Sequence, residues 1–325
     1  MSTRRRQYLL TGVTALGGLL LFAYAVRSVG LVSISDGIRR VGWGLIVILA
    51  LAGVRFGLRT QAWRQCMRPE ARLPFGPALA AFLAGDAIGS VTPLGLAASE
   101  PAKALLSRRQ LATSDAVASL AIDNLVYAAS ALGMVAVGII VLLATVPLPP
   151  VWQEWGAVIL VVIAAGTVAG LRLLRGTWSP EQGPRPPWRA RLAAVRQSVL
   201  VFSSANPGRL WRAFGLGMGF HALAVLEVYL TLGWILAEGA PTVTQSIMFE
   251  ALNRVTTLAF KFVPFRVGID EALSGALASA LAVPAAVGVT LAIVRKVRNL
   301  FWAGLGLALM AGRTRGRGAD APRYD

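Results

Sequence analysis

Long apolar windows separated by short arginine-bearing stretches run through most of the chain, from about residue 7 to residue 311. Windows of about 20 predominantly apolar residues recur, the length a helix needs to cross a hydrocarbon core of about 30 Å. On this pattern spanning helices are predicted near residues 7–26, 41–60, 114–145, 156–174, 209–236 and 286–311. Regions 75–110 and 244–283 break the pattern. Each holds a short apolar stretch, a turn with proline and glycine, and a second short stretch, too little chain for two crossings. Both are expected to be broken or re-entrant helical hairpins. The predicted fold is all-α, a polytopic membrane helical bundle.

Composition narrows the class further. The 325 residues are 56% hydrophobic and only 14% charged, with a mean hydropathy of +0.64, well above an average soluble domain. A single transmembrane domain over 1–312 and a basic tail over 313–325 account for the whole chain. The formal charge of +17 would suit nucleic acid, but the arginines cluster between apolar segments and at the ends rather than on one polar face. They read as topology signals, with anionic lipid as the attracted partner and no nucleic acid. Cys66 is the only cysteine and His221 the only histidine, so neither an intramolecular disulfide nor a His/Cys metal cluster is expected.

Orientation follows from the basic residues. Arg4–Arg6, Arg59/Arg64/Arg68/Arg72, Lys103/Arg108/Arg109, the arginines between Arg172 and Arg196, and Arg313/Arg315/Arg317 fall on one side if both broken regions re-enter. That side is expected to be the cytoplasm of a bacterial inner membrane, with both termini in it. Arg27, Arg39 and Arg40 run against the rule, while Glu154 and Glu238 lie in the loops of the opposite face. The start has the layout of a signal peptide, with Ala23-Tyr24-Ala25 as a cleavage pattern, but is read as an uncleaved first helix. A proline- and arginine-rich linker over about 175–207 is expected to end in a short amphipathic helix around Trp188–Phe202.

Sliding the chain on itself by 171 positions sets Pro93 on Pro264, Glu100 on Glu271 and Leu120-Ala121-Ile122 on Leu291-Ala292-Ile293. Trp63 then meets Trp234 and Thr60 meets Thr231. Two repeats are expected, over about 42–145 and 209–311, with inverted topology under the orientation above. Inverted repeats with discontinuous helices at their interface are a recurring transporter design.

Both turns carry candidate chemistry. In the first, Pro93 and Gly95 break a half-helix, and Ser99 with Pro101 is expected to start the next as N-cap and first-turn proline. Glu100 either caps its own helix or handles substrate or protons, and Lys103 reads as an interfacial anchor. In the second, Pro264 and Gly268 form the turn, Arg266 lies within it, Asp270 is expected as N-cap and Glu271 in the first turn. Glu250 and Arg254, at i and i+4, can pair. Arg295 and Arg298 share a face of the last helix and need an anion, either Glu271, Asp270 or a lipid phosphate, whereas Lys296 points elsewhere and snorkels. Asp123, Asn124 and Asp86 are weaker candidates. Gly53/Gly57, Gly85/Gly89 and Gly215/Gly219 are expected to permit close helix packing, and His221 to be a buried polar contact.

Thr92-Pro93 through Ser99-Glu100-Pro101-Ala102-Lys103-Ala104 with Arg108-Arg109, Pro264-x-x-x-Gly268-x-x-Glu271, and Arg295 with Gly306 carry a resemblance. At these residues the chain resembles the transmembrane flippase region of lysylphosphatidylglycerol synthases and related stand-alone flippase-like membrane proteins. Ser99 stands where members often have glycine before the first glutamate, and Arg266-Val267 where they often have Gly-Gly. The resemblance implies translocation of a phospholipid, or another polyprenyl or hopanoid-type lipid, between leaflets. No aminoacyl-transferase domain follows Arg313, so lipid aminoacylation is not expected of this chain.

The resulting expectation is a lipid translocase working by alternating access on membrane lipids with an anionic headgroup phosphate, not an enzyme and without a cofactor. Its substrate-binding candidates are Glu100, Arg254, Arg266, Asp270, Glu271, Arg295 and Arg298, and a homo-oligomer is left open. A membrane-embedded transferase with Glu100 or Glu271 as general base, or a non-transporting accessory subunit, are the alternatives.

Overall fold

Apolar runs bounded by proline, glycine and arginine fold into eleven α-helices among the described residues, with no strand. The computed structural model describes residues 31–92, 95–108, 110–175, 187–236, 238–260 and 263–319. The predicted first helix at 7–26, Pro93 and residues 176–186 of the proline-rich linker lie outside the described residues. In chain order the helices are α1 (Leu31–Val41), α2 (Gly44–Gln65), α3 (Phe75–Val91), α4 (Gly95–Ser107), α5 (Thr113–Thr145) and α6 (Pro150–Arg175). They continue as α7 (Pro187–Ala205), α8 (Pro207–Ile235), α9 (Val243–Ala259), α10 (Ile269–Ala280) and α11 (Ala285–Ala319).

Four of them, α2, α5, α6 and α8, are long and apolar enough to cross a membrane. The spans predicted near 41–60, 114–145, 156–174 and 209–236 fall on these four with shifted ends, whereas the span predicted at 286–311 falls on α11, which is not one of them. Two differences have clear causes. Pro150 starts α6 at its first turn, which draws Trp152, Glu154 and Trp155 into the helix rather than a loop. The amphipathic α1, ending in Arg39 and Arg40, lay in a stretch too short and too polar to read as a span.

The displacement of 171 positions holds for the helices as well as for single residues. Shifted by it, α3 lands on 246–262, over α9, and α5 lands on 284–316, over α11. In the same way α2 corresponds to α8 and α4 to α10. Packing follows this correspondence. Helix α2 lies along α8, α3 of the first copy packs against α11 of the second, and α9 of the second packs against α5 of the first. Each copy therefore lends its first short helix to the other's last long helix. Core positions repeat too, with Ala78 and Phe249, Ala116 and Val287, and Leu120 and Leu291 buried in corresponding places.

Small residues set the distances between these helices. A Cβ on Gly306 of α11 would overlap the Leu83 carbonyl oxygen of α3, and one on Gly138 of α5 would overlap Ala251 of α9. Gly85 and Gly89 of α3 face Lys103, Ser99 and Gly95 of α4 in the same manner, so this pair does serve packing within the chain. Gly53 faces Trp302 and Gly219 faces Leu58, whereas Gly215 has nothing within 4 Å.

Cys66, just past the end of α2, is buried and burial pushes its thiol up, so a maleimide reaches it only on unfolding. Gly306→Ala is expected to lower the temperature at which Cys66 becomes labelled, since overpacking costs about 1–3 kcal/mol. Gly304→Ala, with nothing within 4 Å of the new Cβ, is expected to leave that temperature unchanged or raise it, because alanine favours the helix. Equal effects of the two changes would contradict the α3–α11 contact.

Candidate functional site

A charge inside an apolar bundle is tolerated only with a counter-charge, because an unpaired one costs several kcal/mol. The centre of this molecule is built on that requirement. Glu227 of α8 is buried and is held by two arginines from different helices. Arg55 of α2 donates to its Oε2 at 2.7 Å, and Arg298 of α11 donates to its Oε1. Glu250 of α9, also buried, is flanked by Arg254 of its own helix at 2.8 Å and by Arg295 of α11 at 3.5 Å. Asn253 donates to Glu250 at 3.3 Å, and His221 lies 3.9 Å away. Four arginines thus share two glutamates.

Aromatic rings complete the surroundings. Arg254 donates to the Tyr127 hydroxyl at 2.9 Å. The Arg55 guanidinium stands 4.4 Å from the Phe220 ring centre, and Tyr127 stacks on His221. The other face of this group meets a second ion pair. Arg59 of α2 lies 4.2 Å from the Tyr127 ring centre and grips both carboxylate oxygens of Asp123 of α5, at 2.8 and 3.4 Å.

The two turns sit beside these pairs. In the first copy, Lys103 donates to Glu100 Oε1 at 3.0 Å with its ammonium 4.3 Å from the Phe82 ring centre, and Glu100 Oε2 has no hydrogen-bond partner among the described residues. In the second, Glu271 uses both oxygens, one for Lys296 and the other for the Gly268 backbone N–H at 2.8 Å. Gly268 has φ of 85°, which suits glycine, but Phe265 and Arg266 also stand at φ of 49° and 48°. Such left-handed side-chain-bearing residues cost about 1–3 kcal/mol each. Arg266 offsets this with bonds to Asp270 at 3.0 and 3.1 Å, to Thr257 and to Asn253.

Several expectations change here. Lys296 does not snorkel; it is the partner of Glu271, while Arg298 pairs with Glu227 and Arg295 with Glu250. Asp270 is not the N-cap of α10: Gly268 precedes the helix, and Asp270 is bonded to Arg266. Ser99 and Pro101 do not start a half-helix, because α4 already begins at Gly95 and carries Pro101 in its interior. Arg59 and Lys103, read as loop charges or anchors, are buried and paired. Pro264 opens the short helical turn Pro264–Arg266. Asp86 is exposed, with Lys103, Arg59 and Glu100 as the charges acting on it.

Sequence reasoning missed Arg55, Glu227 and Tyr127, and gave Asp123 too little weight. The signal was present: Arg55 and Arg59 lie one turn apart, and Glu227 lies in an otherwise apolar run, each an ionisable group inside a spanning helix. Among the described residues no group of three or more histidine, cysteine, aspartate or glutamate residues could hold a metal ion.

The family described as the lysylphosphatidylglycerol synthase TM region matches residues 9–306. The chain belongs to this family. Comparison with curated proteins and with solved structures finds no match. A member of this family with four long apolar helices is a membrane protein whose surroundings are lipid.

Asp123→Asn, which leaves Arg59 without its counter-charge, is expected to destabilise the detergent-purified protein by about 3–5 kcal/mol. Replacing Arg59 and Asp123 together by leucine is expected to cost less than the single change. Denaturant melts of the single and double variants measure the coupling, and strictly additive losses would show that the pair is not linked.

Proposed function

We propose that this member of the lysylphosphatidylglycerol synthase TM family is a translocase that moves a phospholipid between leaflets, with the four-arginine, two-glutamate centre as its headgroup site. The observation that carries the reading is the charge balance. Arg59–Asp123, Lys103–Glu100, Lys296–Glu271 and Arg266–Asp270 are one-to-one pairs. Among the described residues, Arg55, Arg254, Arg295 and Arg298 have only Glu227 and Glu250 as acidic partners. The excess positive charge calls for an anion, and a lipid phosphate supplies one in the form that guanidinium groups bind best. Arg295 is the least engaged, with a buried NH2 group that has no hydrogen-bond partner and a contact of 3.5 Å to Glu250. Its donors are those a headgroup phosphate would fill.

The helix lengths support hairpins that re-enter. Helix α4 has 13 residues and α10 has 12, about 20 Å each at 1.5 Å per residue, short of a hydrocarbon core of about 30 Å. With both hairpins returning to their side of entry, α2 and α8 run in opposite senses and the two copies are inverted. Two such halves can exchange conformations and expose the centre to either face. The basic residues at one end of the bundle, Arg64, Arg68, Arg72, Arg209 and Arg212, support placing that end in the cytoplasm of a bacterial inner membrane. This reading gives the chain no covalent chemistry, since Glu100 and Glu271 are engaged by lysines rather than poised as bases.

In proteoliposomes, fluorescent anionic phospholipid is expected to exchange leaflets faster than in empty vesicles. Arg295→Gln is expected to slow that exchange about tenfold or more, the loss of one charge-assisted contact. Exchange no faster than in empty vesicles for anionic, zwitterionic and neutral lipids would overturn the reading, and a chemically altered lipid in the same vesicles would replace it with a transferase.

A further inference from the structure

The two copies differ at one seam. In the second copy α10 lies tightly along α11, because Gly288 lets the backbone of Ser274 approach and Gly275 receives Val289. The corresponding seam of the first copy, between α4 and α5, is parted by a cavity of about 440 Å³. Counting back 171 positions, Gly288 becomes Val117 and Gly275 becomes Ala104, and both residues line the cavity. Where the second copy has bare backbone at the contact, the first carries side chains that line the cavity. The difference between the two seams is therefore present in the sequence.

Its lining sorts by chemistry. Pro101, Ala104, Leu105, Val117, Leu120 and Ala121 make most of the wall, while Glu100, Arg108, Thr113 and Asn124 supply polar groups. Leu105 and Val117 are exposed on the outside of the bundle, on a spanning helix and its neighbour. Arg108 is exposed and makes no ion pair among the described residues. Glu100 gives one oxygen to Lys103, and its other oxygen has no hydrogen-bond partner among the described residues. Apolar walls with a few convergent polar groups, in a volume of this order, are the ordinary form of a ligand site.

We propose that the α4–α5 seam is a lateral port that binds a single phospholipid, at a place where the second copy has α10 closed on α11. An acyl chain lies between Leu105 and Val117, the phosphate meets Arg108, and a headgroup donor, hydroxyl or ammonium, meets Glu100. This rests on the reading of the chain as a lipid translocase, for which the port is where lipid enters from or leaves to the surrounding leaflet.

The test uses the full chain in vesicles doped with phospholipids bearing a photoreactive acyl chain, one with a glycerol headgroup and one with an ethanolamine headgroup. Adducts are mapped by peptide mass after irradiation. The expected result is labelling of α4 and α5 without labelling of α10 and α11. Val117→Trp is expected to reduce it to the level of an unrelated membrane protein. Arg108→Gln, an exposed change that leaves packing alone, is expected to weaken labelling by both lipids. Preference for ethanolamine, lost in Glu100→Gln, would assign an ammonium as the donor, and preference for glycerol a hydroxyl. Equal labelling of both seams, or labelling unchanged in Arg108→Gln and in a Val117→Trp protein that melts like the parent, overturns the proposal. Leaflet exchange is read on the same vesicles. Exchange without an α4–α5 adduct sinks the port alone, and an adduct without exchange leaves a lipid-binding seam while sinking translocation and with it the role of the seam as a port.

Discussion

The arrangement of the bundle depends on neutralising cations where no water can. Glu227 and Glu250 draw Arg55, Arg254, Arg295 and Arg298 together, and with Tyr127 the group joins α2, α5, α8, α9 and α11. Buried ion pairs are a poor source of net stability, since the loss of hydration consumes most of the attraction. Apolar side chains of similar volume would hold these helices at least as well. The same residues that fix the relative positions of five helices are the ones proposed to meet a lipid phosphate.

The internal repeat explains how this centre is assembled from two pieces without being symmetric. Helix lengths, apolar core positions and the two equivalent glutamates recur at the displacement of 171, and α3 and α9 each pack on the long helix of the other copy. The partners of these glutamates do not recur. Glu271 is satisfied by Lys296 and a backbone N–H, while Glu100 is met only by Lys103. The glycines that close one seam become Ala104 and Val117 in the other. A shared backbone plan thus carries two different sets of side-chain contacts.

The second turn illustrates how local strain is held by distant contacts. Phe265 and Arg266 adopt left-handed conformations that glycine would enter freely. Arg266 stays there because its guanidinium reaches Asp270, Thr257 and Asn253, and its carbonyl oxygen accepts from Lys296 at 3.3 Å. The turn, the start of α10 and the middle of α11 are consequently one hydrogen-bonded unit, placed directly beside the arginine centre.

Much of this molecule could be read before any coordinates. Apolar runs of membrane-crossing length are a one-dimensional property, because helix formation in lipid depends on local composition and length. The Glu250–Arg254 pair was legible for the same reason, since one turn of helix sets it. What only the tertiary structure decided was partnership across helices: Arg55 and Arg298 with Glu227, Arg59 with Asp123, Lys296 with Glu271. Those contacts join residues as many as 172 positions apart, and helix rotation and packing distance choose among counter-charges that look interchangeable along the chain. The open α4–α5 seam belongs to the same class, because whether a glycine is a close contact or an unused gap is settled only by the helix that lies against it.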